Sequence, residues 1–109
     1  MNRKLSIACL QYSSTENEKC TLKTIKVLIV KAVDTEAELI TLPECATSLQ
    51  KNSFLTNELA KTEDENVSLQ ILKEIAKLNS IFILIGSLPI KLNDTLVNRS
   101  FLVGPKGDI

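Results

Sequence analysis

The stretch Glu38–Ser48, "ELITLPECATS", decides how the rest of the chain is organised. Leu39 to Leu42 form a short apolar run of the kind a buried strand uses. Pro43 ends it, because proline has no N–H to extend a ladder. Glu44 follows at once, so a strand that reads as buried delivers a carboxylate at its C-terminal tip. Either Glu44 turns into water as an ordinary loop residue, or it is held there as a base. The sequence on either side decides between the two.

Upstream, "KLSIACLQ" (Lys4–Gln11) is a near-continuous apolar run that suits a strand covered on both faces. In "STENEKC", Thr15 and Glu18 have the spacing of a capping box. Leu22, Ile25, Leu28, Ile29, Ala32 and Val33 then recur at three- and four-residue steps, which predicts an amphipathic helix ending near Asp34. Downstream, Cys45–Lys61 mixes loop with a helical turn. Thr62 and Glu65 form a second capping box and open another helix. Val67, Leu69, Ile71, Leu72, Ile75, Ala76 and Leu78 supply its buried side, and Asn79 is its left-handed stop. "SIFILIGSLPI" (Ser80–Ile90) is the third strand and "RSFLVGP" (Arg99–Pro105) the fourth, with "KLNDT" (Lys91–Thr95) a polar turn between them. The predicted order is β-α-β-α-β-β, an α/β layer structure with a largely parallel sheet and right-handed crossovers. Sites in such folds gather at the carboxyl ends of strands, where Glu44 lies at one end and Gly86–Ser87 at another.

Composition narrows the function. The 109 residues form one small domain, or a piece of a larger one, with 44% apolar and 24% charged residues. Thirteen basic and thirteen acidic residues cancel without forming a block of one sign, which argues against nucleic acid or an anionic membrane as partner. There is no histidine, and the three cysteines (Cys9, Cys20, Cys45) lack CxxC spacing. The chain is therefore read as holding no metal or cofactor and as keeping reduced thiols in a cytoplasmic setting. The start, "MNRKLSIACLQY", mimics a lipoprotein signal, but its apolar run is too short and fits a first strand better. No run approaches a membrane span. "NRS" (Asn98–Ser100) matches the glycosylation sequon by chance in a chain without a secretory signal. Lys106 in "GPKGD" reads as a solvated turn residue, and Cys9 and Cys20 as small apolar residues of a strand and a helix.

Taken together, a first strand ending in Gln11, a helix, "AELITLPE" (Ala37–Glu44) and "ILIGSLPIKLNDTLVNRSFLVGPKGDI" (Ile83–Ile109) resemble the N-terminal portion of the nitrilase superfamily, the carbon–nitrogen hydrolases. The last segment is most similar to bacterial amidohydrolases of the Nit and omega-amidase type. The resemblance covers Lys4 to Ile109 and implies part of an α-β-β-α sandwich. It also implies a Glu-Lys-Cys site, in which Glu deprotonates the thiol, the thiolate attacks an amide or nitrile carbon, and Lys stabilises the oxyanion. Water then hydrolyses the thioester. Each role has a reason, since a thiol near its ordinary pKa needs a base or cation and the tetrahedral intermediate carries new negative charge.

By that resemblance the base falls on Glu44. Pro43, Gly86, Ser87 and Asn98 are near-site structural residues, with Asn98 in a hydrogen-bonding role. Cys45 adjoins Glu44, but the family's nucleophile comes from a much later strand end, and its lysine lies beyond the Lys106 turn. The chain thus carries one of three triad residues and ends before the other two. The expectation is a truncated hydrolase, inactive alone, because a triad acts as a unit. The alternatives are one half of a split amidohydrolase acting on a small amide once a second, C-terminal polypeptide completes it, or a non-catalytic α/β module binding a partner through an exposed edge. A homo-oligomer is compatible with all three.

Overall fold

The computed structural model describes residues 3–109. Its elements are β1 (Ile7–Cys9), α1 (Glu18–Asp34), β2 (Leu39–Leu42), α2 (Ser53–Leu59), α3 (Val67–Asn79), β3 (Phe82–Leu92) and β4 (Thr95–Val103). The four strands form one sheet in the order β1-β2-β3-β4, with β1, β2 and β3 parallel and β4 antiparallel to β3. The mixed α/β order follows the sequence reading, with one added element: α2 condenses from the stretch that mixed loop with helical turn.

Both long helices start on asparagine rather than on the threonines of the capping boxes. Asn17 accepts the Cys20 N–H and Asn66 accepts the Leu69 N–H, each satisfying an otherwise orphaned donor of the first turn. Thr15 instead accepts the Asn17 N–H, and the Thr62 hydroxyl donates to the Glu65 carboxylate in the loop before α3. Glu18 has a partner in another element, the Ser68 hydroxyl, which ties the N-termini of α1 and α3 together. Asn79 is the last helical residue, and Ser80 rather than Asn79 takes the left-handed conformation, with φ 52°. The polar turn is also tighter than Lys91–Thr95: Leu92 already pairs with Thr95, leaving Asn93 and Asp94, with Asn93 at φ 57°. The fourth strand therefore has its hairpin mate in β3.

One face of the sheet is covered. Ile25 and Ile29 of α1, with Leu69, Leu72 and Ala76 of α3, pack on a row formed by Ile40, Ile83 and Val103 and on Ile85 beside it. Val67 and Leu78, expected on this buried side, are exposed, because both lie outside the arc of α3 that meets the sheet.

The other face is open. Ile7, Leu39 and Phe82 form one row across the strands, and Cys9, Thr41, Leu84 and Leu102 form the next. Ile7 and Leu102 are both 50% exposed and Phe82 is 42% exposed. The strands thus carry the two-sided apolar pattern of a doubly covered sheet, while one layer of helices covers them. Cys9 and Cys20 are both exposed, contrary to their reading as tucked-in apolar residues, since Cys9 points to the open face and Cys20 outward from α1. Among the described residues no helix is long and apolar enough to cross a membrane, and no group of three or more potential ligands could hold a metal ion.

The asymmetry of the two faces is measurable. Ile83→Ala removes a fully buried side chain and should cost about 2–5 kcal/mol. Leu84→Ala, its neighbour on the open face, should cost under about 1 kcal/mol. Urea unfolding of the two variants checks the difference; equal losses would mean that both faces are covered in solution.

Candidate active site

Glu44 leaves the end of β2 because the backbone is forced away from the sheet there. β2 pairs with β3 only as far as Leu42 opposite Ile85. At the next position of β3, a side chain would collide with the departing chain: a Cβ on Gly86 would stand 2.5 Å from Leu42 O and 2.5 Å from Pro43 C and O. Glycine is required here by close backbone approach rather than by an unusual φ.

Gly86 and Ser87 also form a β-bulge. Ile85 pairs with Phe101 and Leu88 with Arg99, so two residues of β3 oppose the single Ser100 of β4. The Ser100 hydroxyl donates to Gly86 O at 2.6 Å and pins the bulge. Gly86 and Ser87 were read as the close of the third strand, but they lie inside it; the strand bends here and continues to Leu92. The bend places the buried Ser87 beneath the end of β2. Its hydroxyl accepts the Cys45 N–H at 2.8 Å, and its carbonyl accepts the Ala46 N–H at 2.9 Å.

These bonds hold Cys45 at φ 49°, a left-handed conformation that costs a non-glycine residue strain unless its surroundings fix it. Two further groups fix the same turn from the other side. The Tyr12 hydroxyl donates to Ala46 O at 2.7 Å, and Ser14 Oγ donates to Cys45 O at 2.6 Å. Burial pushes the Tyr12 hydroxyl well above its ordinary pKa, so it remains a donor. The carboxylate of Glu44 is exposed and accepts one bond, from Asn98 Nδ2 to Oε1 at 3.2 Å. Asn98 lies on β4 opposite Pro89, past the bulge, so the bend in the hairpin carries it to Glu44.

The structure thus brings Pro43, Glu44, Gly86, Ser87 and Asn98 to one corner. Tyr12, Ser14 and Ser100 join them and were not singled out in the sequence. The signal for the bulge was present, a glycine inside a strand pattern. A hydroxyl that bonds a carbonyl more than thirty positions away leaves no local signal. Lys106 is exposed in a turn closed by Gly107 N–H to Gly104 O at 2.9 Å, away from the corner.

A cavity of about 790 Å³ opens beside the corner. Cys45, Thr47, Leu49, Leu59, Pro89 and Val97 line it, with the first turns of α1 and α3. Asn98 belongs to both, lining the cavity while holding Glu44, which is itself outside the lining. Cys45 is half-buried, and burial first, then the adjacent Glu44 carboxylate, push its thiol up and away from the thiolate. That is the opposite of what a nucleophile needs.

Residues 6–109 match the carbon-nitrogen hydrolase family. Mouse omega-amidase NIT2 is 30% identical over 106 residues, which cover 97% of this chain and 37% of the mouse protein. The deaminated glutathione amidase of Dictyostelium discoideum is 28% identical, and the match covers 100% of this chain and 40% of that protein. Among solved structures, Saccharomyces cerevisiae Nit3, a member of branch 10 of the nitrilase superfamily, superposes with a TM-score of 0.85 at 21% identity over 96% of this chain and 41% of the yeast chain. A Glu-to-Gln mutant of the amidase from Nesterenkonia sp. AN1, with covalent addition of the acetamide moiety of fluoroacetamide at its active-site cysteine, superposes with a TM-score of 0.80 at 19% identity over 95% of this chain and 40% of that one. The chain therefore spans well under half the length of these relatives.

Two substitutions test the corner. Gly86→Ala forces a Cβ into the Leu42–Pro43 peptide and should destabilise by about 1–3 kcal/mol or more. Ser87→Ala leaves the Cys45 N–H without its acceptor and should cost about 1–3 kcal/mol. Both are read by urea unfolding, and no loss in either would mean that the corner is not packed as described. Cys45 should alkylate more slowly than free cysteine at neutral pH, its rate rising as the pH approaches the raised thiol pKa. Alkylation as fast as free cysteine would contradict this environment.

Proposed function

Because the chain belongs to the carbon–nitrogen hydrolase family, we propose that it supplies the general-base corner of an amide-hydrolysing site, with Glu44 as the base. The observation that carries this reading is the placement of Glu44 at the tip of a parallel strand, with Asn98 donating to one carboxylate oxygen at 3.2 Å beside a cavity of about 790 Å³. The Asn98 bond orients Oε1 and leaves Oε2 free to take a proton. In the reaction, Oε2 accepts the thiol proton of a cysteine, the thiolate attacks the amide carbon, and a lysine stabilises the oxyanion. The C–N bond then breaks, the proton passes to the leaving nitrogen, and water releases the acid from the thioester.

The cysteine and lysine of this reaction lie outside the 109 residues. None of Cys9, Cys20 and Cys45 suits the thiol role: two are exposed and outside the cavity lining, and burial and the Glu44 carboxylate push the thiol of the third away from the thiolate. The chain by itself is therefore inactive. A small amide of the omega-amide type is the proposed substrate of the completed site, by likeness to the omega-amidases. The open apolar sheet face supports completion by further polypeptide, because Ile7, Phe82, Leu84 and Leu102 would be buried by a second sheet. The same face favours the second reading, a non-catalytic module that binds a partner there.

The test is reconstitution. The purified chain should release no ammonia from small omega-amides. Mixing it with a polypeptide matching the remaining length of an omega-amidase relative should restore turnover. Glu44→Gln should then lower that turnover by about 10²-fold or more, as loss of a general base does. Cys45→Ser should retain it. Turnover by the chain alone would overturn the reading, as would reconstituted turnover that survives Glu44→Gln. Complex formation without turnover would favour the binding module.

A further inference from the structure

Two polar groups of the cavity wall have no partner in the chain. The first is the hydroxyl of Thr47, a residue only 4% exposed that lines the cavity and makes no side-chain hydrogen bond among the described residues. No fully buried side-chain nitrogen or oxygen is left without a partner among them. The Thr47 hydroxyl therefore opens on the cavity, where a polar guest satisfies it and an apolar one does not.

The second is Oδ1 of Asn98. A carboxylate accepts hydrogen bonds and donates none, so the atom 3.2 Å from Glu44 Oε1 has to be the amide nitrogen, Nδ2. The carboxamide is planar and holds Oδ1 on the other side of Cγ. Asn98 lines the cavity and Glu44 does not, so Oδ1 lies on the cavity side, and it accepts no hydrogen bond among the described residues. Pro89, paired with Asn98 across the hairpin, has no N–H to give it, and the Val97 side chain beside it is apolar.

Both groups belong to the corner. Thr47 follows Cys45 and Ala46, which Ser87 holds, and Asn98 is bonded to Glu44. We infer that Asn98 Oδ1 and Thr47 Oγ1 receive the two N–H groups of a primary amide, and so select that class over esters, nitriles and N-substituted amides. The inference rests on the reading of this corner as part of an amide-hydrolysing site, and names its specificity residues. A carboxamide NH₂ carries two donors and meets two acceptors here. An ester oxygen or a nitrile nitrogen would face Oδ1 acceptor to acceptor, and a site built to receive N–H groups rejects a ligand that lacks them. Asn98 would touch base and substrate at once, setting the leaving nitrogen beside the carboxylate that returns its proton.

The experiment needs neither the cysteine nor the lysine. The ¹⁵N-labelled chain is titrated with propionamide to about 0.5 M, a range that reaches the weak binding of so small a molecule. The Asn98 side-chain amide and the Thr47 backbone N–H should shift along a saturating curve. Methyl propionate and N,N-dimethylpropionamide should leave both in place. Thr47→Val keeps the shape and removes the hydroxyl. It should weaken propionamide binding about fivefold without lowering the urea midpoint, because the hydroxyl gives up no bond within the chain. Asn98→Ala should weaken binding by at least as much. Absence of shifts, equal shifts with methyl propionate, or unchanged affinity in either variant would overturn the inference. So would a loss of stability in Thr47→Val, which would mean that the hydroxyl is already paired. Glu44-dependent turnover of the reconstituted enzyme alongside a failed titration would sink this inference alone. Selective propionamide binding alongside turnover that survives Glu44→Gln would sink only the earlier reading of the base.

Discussion

The passage of the Leu42–Pro43 peptide over Gly86 is the contact on which the site depends. Two backbones approach there to a distance that excludes even a methyl group. β2 cannot continue beside β3 past that point, and proline removes the donor it would need. The chain must leave the sheet, and Glu44 is the first residue after it does. The bulge at Gly86–Ser87 turns this steric limit into a position, since Ser87 bonds the two residues that follow Glu44. A carboxylate that could have pointed anywhere into water is thereby carried on a turn held from both sides.

The work is divided between two kinds of segment. The β3–β4 hairpin is the template: it supplies Gly86, Ser87, Ser100 and Asn98. The segment after β1 supplies Tyr12 and Ser14, which clamp the same turn from above. Glu44 itself contributes almost nothing to this scaffold, its one bond being to Asn98 near the surface. Such an arrangement suits a group whose role is to exchange a proton, because rigid neighbours fix its origin while its charge stays accessible. The thiol beside it shows the contrast. Cys45 lies in the strained backbone of the turn, half-buried and next to a negative charge, and is a structural residue despite its adjacency.

Much of this was legible in the sequence because local chemistry enforces it. The periodicity of Leu22, Ile25, Ile29 and Ala32 fixes α1 and its buried face, and the apolar runs fix four strands. Pro43 and Glu44 stand out by their position after such a run. The helix starts were misplaced by two to four residues because two polar candidates competed for each cap, and asparagine won both times. Val67 and Leu78 read as core because periodicity alone does not say how wide an arc the sheet will cover. The bulge was hinted at by one glycine, but the partners of Ser87, Tyr12 and Ser14 lie tens of residues away and were invisible. The apolar run Lys4–Gln11 reads as a strand covered on both faces, whereas among the described residues the helices cover one face and leave Ile7, Phe82, Leu84 and Leu102 exposed on the other.

The hairpin has a consequence for the order in which the corner can assemble. β3 and β4 are joined by Asn93 and Asp94 alone, so closing that loop forfeits little chain entropy. β2 meets β3 only after the chain has crossed α2, α3 and their connecting loops, a much longer excursion. Contacts of the first kind are cheap to make early, and those of the second are made against a larger entropic cost. Loop closure therefore favours the hairpin, with its bulge and Asn98, over the longer-range pairing that brings Glu44 to it. Glu44 thus depends on a pairing between distant segments, while the shape that receives it is encoded within one continuous hairpin.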